Sequence, residues 1–376
     1  MRRILLLLIF ISSVPYTSRA DAVESRVYFG TYTGGKSEGI YVADYDPVGG
    51  LVSNVRLAVE TPNPSFLAIH PSKRFLYAVS EIVEFDGRKT GAVAAFEINE
   101  SDGALRLVNR KSSGGAGPCH VSLDANGKYA FAANYTGGSA ACLPILADGF
   151  LGDPISVVQH EGSSANPRRQ TAAHAHSINL DPTGSFALVA DLGMDKTVIY
   201  RFADGKLRPN EPPFATAEPG AGPRHLAFHP NGKIVYVINE LSCTIDVFSF
   251  NSEVGTMERL QTASTIPEGA QDESVTTAEV QVHPNGKFVY GSNRGLNTLA
   301  VFAADETGKL RFVEHEPTLG VRPRNFRIAP DGKFLLVANR ESDNVVAFRI
   351  DAATGELEPT GCEVEVGSPS CVRFFE

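Results

Sequence analysis

A short turn repeats along this chain, and His283-Pro284-Asn285-Gly286-Lys287 is its clearest copy. Apolar residues precede it, and Phe288-Val289-Tyr290 follow. Proline fixes φ, Asn-Gly accepts the chain reversal, and alternating residues resume, which predicts the tip of a β-hairpin. Related copies are His70-Pro71-Ser72-Lys73, Asp124-Ala125-Asn126-Gly127-Lys128, Asp181-Pro182-Thr183-Gly184, His229-Pro230-Asn231-Gly232-Lys233 and Ala329-Pro330-Asp331-Gly332-Lys333. Six copies at intervals of 46 to 57 residues form an internal repeat. A period of that length points to a propeller or a solenoid.

Each hairpin is followed by an apolar strand, a glycine turn and another strand. This second pattern starts at Ile40, Val93, Ala141, Thr197, Ile245, Leu299 and Val345, so it occurs seven times against six of the first. The ends of the chain explain the mismatch. Ser370-Cys371-Val372-Arg373-Phe374 resembles the first strand of a repeat, and Arg26-Val27-Tyr28-Phe29-Gly30 resembles the second. One unit is therefore split between the two ends. An open solenoid calls for capping repeats instead. The expectation is an all-β, seven-bladed β-propeller with four-stranded blades, closed by pairing the C-terminal strand with N-terminal strands. Residues 26–376 form this single domain.

Met1-Arg2-Arg3, the apolar run Ile4 to Ile11 and the small residues Ser18 and Ala20 have the order of a secretory signal peptide. Residues 1–22 are assigned to it. The apolar run is shorter than the ~20 residues a membrane-spanning helix needs. The mature protein is expected to be exported, periplasmic or secreted, with no membrane association after cleavage. A net charge of −9 without a basic cluster excludes a nucleic-acid surface. Five cysteines with no CxxC pair leave at least one thiol unpaired and read as buried small apolar residues. No pattern specifies an oligomeric state.

In a propeller the first strand of each blade lines the central channel, and a hairpin returns to the level where it began. The start of each first strand and the end of each second strand should then share one rim. Five positions before each turn stand Ser65, Cys119, His176, Arg224, Ala278 and Arg324, with Ser370 in the split unit. The next positions hold Phe66, His120, Ser177, His225, Glu279, Asn325 and Cys371. The second strands end at Glu81, Tyr135, Leu192, Glu240, Arg294 and Arg340, and near Tyr32. A rim rich in His, Arg and Glu above apolar strands predicts a site for a small anionic ligand. The loop Asn166-Pro167-Arg168-Arg169-Gln170 leads to His174-Ala175-His176. His-x-His on a strand puts both rings on one face, as in some metal sites, but spacing places no third ligand and no metal is assigned. The turn residues His70, His229 and His283 lie at the opposite end and read as structural.

Several segments together resemble the 6-phosphogluconolactonase / carboxymuconate-cyclase family of seven-bladed propellers. They are Gly30-Thr31-Tyr32-Thr33, Asn63-Pro64-Ser65, Gly117-Pro118-Cys119-His120, Ala133-Asn134-Tyr135, Pro167-Arg168-Arg169-Gln170 with His174-Ala175-His176-Ser177, Gly222-Pro223-Arg224-His225, Asn239-Glu240, Ser292-Asn293-Arg294 and Arg322-Pro323-Arg324-Asn325. The resemblance implies catalytic roles for His176, Arg224, Glu240 and Arg294. Arg169, Gln170, His174, His120, Tyr135, His225, Glu279 and Arg324 are expected to bind substrate. The implied reaction is hydrolysis of a sugar lactone, phosphorylated or not, by general-base activation of water with arginines holding anionic groups. That scheme requires neither metal nor organic cofactor, and no serine nucleophile is assigned. Alternatives are a muconate cycloisomerase or a non-enzymatic exported propeller that binds a ligand or partner.

Overall fold

The computed structural model describes residues 25–375. The repeat becomes seven four-stranded antiparallel sheets. The first blade is the split one: Pro369–Phe375 is its innermost strand, followed outward by Ser25–Thr31, Gly39–Asp46 and Leu51–Glu60. The remaining six blades follow in chain order, and their innermost strands begin at Leu67, Pro118, Ala175, Pro223, Thr276 and Pro323. Innermost strands of successive blades touch all the way round, including Pro323–Ile328 against Pro369–Phe375 and Pro369–Phe375 against Leu67–Ile69. The expected signal peptide lies outside the described residues. Among the described residues no helix is long and apolar enough to cross a membrane.

Burial explains the two hydrophobic patterns. Second strands such as Phe75–Ser80, Phe186–Asp191, Ile234–Asn239 and Phe334–Asn339 are buried along their whole length. Each is covered on both faces by neighbouring blades, so its sequence is a continuous apolar run. The outermost strands face solvent on one side, and from Thr360 to Glu365 the last of them alternates between half-buried and exposed residues accordingly.

The turns fasten neighbouring blades. His70 Nε2 lies 2.9 Å from Gly127 O, His229 Nε2 3.0 Å from Gly286 O, and His283 Nε2 2.8 Å from Gly332 O. Each ring thus donates to the corresponding turn of the next blade, and its Nδ1 accepts a backbone N–H within its own turn. Buried tyrosines repeat the device on another layer. Tyr28, Tyr77, Tyr236 and Tyr290 each donate a 2.9 Å hydrogen bond to a glycine carbonyl of the next blade. The ring closes on the pairing of Val27 with Phe374 and Phe29 with Val372, and the Val372 N–H donates to Asn325 Oδ1 of the last blade at 2.9 Å. All five cysteines are free, and four are buried.

One irregularity recurs where the innermost strands enter the channel. The register with the second strand slips at Cys119, His176, Arg224, Arg324 and Ser370, each an extra residue with no partner across the ladder. A β-bulge of this kind re-aims side chains. Strict alternation would send one of two successive residues away from the channel. Here Cys119 faces one cavity at the channel mouth while the adjacent His120 faces another, deeper in the channel.

Candidate active site

The mouth of the channel is a pocket of about 400 Å³. Bulge residues Cys119, His176 and Arg324 line it, together with the second-strand ends Glu81, Tyr135, Glu240 and Arg294. Arg169, Glu273, Ser274 and Arg322 come from loops, and Thr276 from the start of an innermost strand.

Glu240 is the electrostatic centre. It is 3% exposed, and its carboxylate accepts from Arg169 Nη2 at 2.7 Å, Arg224 Nε at 2.9 Å and Arg294 Nη2 at 3.0 Å. Burial alone would raise its pKa, but Arg294, Arg224 and Arg169 together hold the carboxyl well below the usual carboxylate range. Glu240 therefore stays ionised and is a poor proton acceptor. Its effect is to fix guanidinium groups from three segments of the chain. Arg224 Nη1 also donates to the Ala278 carbonyl, and Arg294 Nη2 to the Thr277 carbonyl at 2.8 Å. Burial lowers the Arg294 pKa to about 10, with Glu240 opposing the shift, so its charge persists at neutral pH.

His176 is the complementary group. Burial first, then the charges of Arg224, His225 and Arg324, push its pKa well below the ordinary histidine range. The ring is neutral at pH 7. Cys119 Sγ lies 3.3 Å from the His176 carbonyl oxygen and 3.6 Å from His176 Nδ1. Burial pushes the Cys119 thiol up, so it keeps its proton, which goes to the nearer carbonyl. Nδ1 then carries a hydrogen directed at sulfur, and Nε2 is the ring atom with a free lone pair. Tyr135 packs edge-on against this ring at 5.4 Å.

A family model described as a lactonase with a 7-bladed beta-propeller matches residues 26–374. This chain belongs to that propeller lactonase family. A 6-phosphogluconolactonase of Bacillus subtilis is 37% identical to it over 349 residues, 93% of this chain and 97% of the relative. A 6-phosphogluconolactonase of Formosa agariphila is 33% identical over 358 residues, 93% and 99% of the two chains. The solved structure of the Pseudomonas aeruginosa periplasmic gluconolactonase superposes with a TM-score of 0.88 at 36% identity, covering 94% of this chain and 99% of that one.

Within this lactonase-family fold, the residues expected on a single rim divide into layers. His176, Glu240, Arg294, Arg169, Tyr135 and Arg324 meet in the mouth pocket. Arg224 lies beneath it, 2% exposed, and reaches the pocket through Glu240. Gln170 is fully buried; its Nε2 donates to Leu192 O and Asp195 Oδ1, and its Oε1 accepts from Asn166 N–H, so it braces the loop that carries Arg169. His174 stacks on Tyr135 at 4.5 Å and donates from Nδ1 to the Tyr135 carbonyl at 2.9 Å. It precedes the strand that carries His176 and does not line the mouth pocket. His120, His225 and Glu279 line the separate, deeper cavity, because the bulges turn the residue after each mouth position down the channel.

Glu81 is a pocket residue that the family pattern did not single out. It occupies the same repeat position as Glu240, and that equivalence was the available signal. Its Oε2 accepts from Tyr32 Oη at 2.8 Å and from Ser65 Oγ. Tyr32 in turn accepts from Arg324 Nη2 at 2.6 Å. Gly35-Lys36-Ser37-Glu38-Gly39 has the spacing of a nucleophile elbow, yet it links two antiparallel strands, and Ser37 is buried with Oγ 2.5 Å from Thr31 Oγ1. An elbow requires a strand-to-helix turn with an exposed hydroxyl.

Proposed function

We propose that this chain hydrolyses a sugar lactone in the mouth pocket, with His176 as general base. The observation that carries the reading is one small cavity that joins an uncharged imidazole to guanidinium groups fixed by a buried carboxylate. A pocket of about 400 Å³ suits a monosaccharide-sized ligand.

A water oxygen bonds to the lactone carbonyl carbon while its proton passes to His176 Nε2. The carbonyl oxygen becomes an oxyanion facing Arg324 and Arg294. Collapse of the tetrahedral species breaks the bond to the ring oxygen, which takes the proton back from the imidazolium. The product is an open-chain acid that releases a proton at neutral pH. Arg324 suits the oxyanion because no carboxylate among the described residues lies within salt-bridge distance of it, and its charge already acts on His176. Glu240 positions Arg169 and Arg294 and transfers no proton. A phosphate or carboxylate on the substrate would meet Arg169 and Arg322 at the rim.

Export through residues 1–22 accompanies this reading. The N-terminal pattern supports it, as does the likeness to a periplasmic enzyme. An exported enzyme would meet unphosphorylated lactones.

A panel of aldonolactones with and without phosphate, followed by proton release, tests the activity. His176→Ala is expected to lower kcat by roughly 10²–10⁴-fold, the usual contribution of a general base. The parent rate should hold level as pH falls below the ordinary histidine value of about 6.5. Turnover unchanged in His176→Ala would remove the assigned base. Loss of ultraviolet absorbance from carboxymuconates, with no lactone opening, would favour cycloisomerisation instead.

A further inference from the structure

The channel has a second cavity below the mouth, which the lactone site does not use. A chamber of about 290 Å³ is lined by Phe66, His120, His225, Glu279, Arg327 and Arg373. It shares His120, Arg327 and Arg373 with a wider space of about 570 Å³ that opens among the turn residues Pro71, Asp124, Pro284 and Pro330. It therefore faces the opposite end of the propeller from His176.

The two arginines are held in place but not neutralised. Arg373 stacks over Phe66 at 4.6 Å, donates from Nε to Leu67 O at 2.8 Å and from Nη1 to Val372 O at 2.7 Å. Arg327 donates from Nη1 to Gln281 Oε1 at 3.1 Å. Among the described residues, neither guanidinium has a carboxylate within salt-bridge distance, and Nη2 of each has no protein acceptor. Both nearby carboxylates are committed elsewhere. Glu279 accepts from His225 Nδ1 at 3.2 Å, from Asn325 Nδ2 and from the Val280 N–H at 3.1 Å. Asp124 accepts from the Tyr129 and Asn126 N–H groups of its own turn.

His225 supplies an independent sign. It is 4% exposed, and its Nε2 is buried with no hydrogen-bond partner. With Nδ1–H donating to Glu279, Nε2 carries a lone pair and calls for a donor. A buried polar atom without a partner keeps its full desolvation penalty, so a ligand that supplies one is favoured. Burial and the neighbouring Arg373 charge lower the Arg327 pKa to about 10, a repulsion that an anion between the two would relieve.

We propose that this turn-side cavity is a second binding site, for hydrogen phosphate, held between the Nη2 groups of Arg327 and Arg373 with its P–OH donated to His225 Nε2. Two guanidinium donors match phosphate oxygens, and the hydroxyl gives His225 Nε2 the hydrogen-bond donor it lacks. This proposal does not rest on the lactone reading: Arg327 and Arg373 lie outside the mouth pocket, and only the His225 ring, 5.3 Å from that of His176, borders both sites.

Titration calorimetry of the full chain with inorganic phosphate provides the test. Arg327→Gln should weaken phosphate binding on the order of 10-fold or more, as loss of a charge-assisted hydrogen bond predicts. Arg294→Gln, which disarms the mouth, should leave this binding in place. In crystals of the unsubstituted protein soaked with arsenate, an anomalous peak is expected between Arg327 and Arg373. Equal phosphate affinity in the parent and Arg327→Gln, or arsenate only at the mouth, would overturn the proposal.

Discussion

Glu240 holds Arg169, Arg224 and Arg294 within 3.0 Å, and two of those three arginines are themselves buried. Removing its charge leaves guanidinium groups in a low-dielectric site with nothing to balance them. Breaking a buried pair in this way costs roughly 3–5 kcal/mol, far more than the pair contributes relative to a well-packed apolar substitute. Glu240→Gln is therefore expected to lower the unfolding free energy by an amount of that order and to reduce kcat by at least about 10²-fold as the arginines lose their positions. Chemical denaturation together with lactone turnover checks both. A variant that keeps its stability and loses only activity would instead make Glu240 a proton-transfer group. His176 presents the opposite case: here burial and like charge act together, and the neutral ring suits it to accept a proton.

The hairpin that joins the first two strands of every blade but the split one is the element that the chain reuses, and its copies differ at one informative place. Gly127, Gly184, Gly232, Gly286 and Gly332 all sit at φ between 66° and 76°. The copy in the second blade has Lys73 there, at φ 59°. A side chain in the left-handed region costs roughly 1–2 kcal/mol, partly offset because glycine loses more freedom on folding. Lys73→Gly is expected to stabilise the protein by about 0.5–1 kcal/mol and raise Tm by about 1–3 °C. Lys73→Ala, with the same strain, should give no gain; thermal melts of the two variants separate backbone strain from loss of the lysine.

At the scale of the molecule, the channel concentrates buried ionisable groups along one axis. His120, His176 and His225 all have pKa values pushed below the ordinary range, in each case first by burial. The unfolded chain takes up protons at these positions near pH 6.5, before the native state does. Their stabilising contribution is therefore complete above that pH and is lost as pH falls from it toward the depressed native values. Against burial, Glu240 is held low by Arg294, Arg224 and Arg169, and Glu279 by its interaction with His225 and then by Arg373 and Arg224, so their contribution is lost in a second window below about pH 4.3. Tm should be level above pH 7, decline below about 6.5 and fall more steeply below about 4.3. Melts from pH 8 to 4 check the sign; a Tm that rises on acidification through pH 6 would show that these histidines are charged in the native state.

The architecture was legible because it is written locally and repeated. A tight turn rich in Pro, Asn and Gly fixes a hairpin wherever it occurs, six related copies set the period, and Ser370–Phe374 beside Arg26–Gly30 reveal the closing blade. Repeat arithmetic also brought His176, Glu240, Arg294 and Arg324 to one end of the channel. It failed one residue further along. His120, His225 and Glu279 follow mouth positions in sequence, and only the extra bulge residue decides that they point down the channel to a different cavity. Gln170 and His174 lie in a loop where no periodicity applies, and packing against Asp195 and Tyr135 turns them into supports for pocket residues. The sequence by itself determined how many sheets form and how the ring closes, because hairpins and alternation depend on neighbours along the chain. Which side chains share a cavity, and in what charge state, only the tertiary structure decided. Both depend on ångström-scale register slips and on fields from residues distant in sequence.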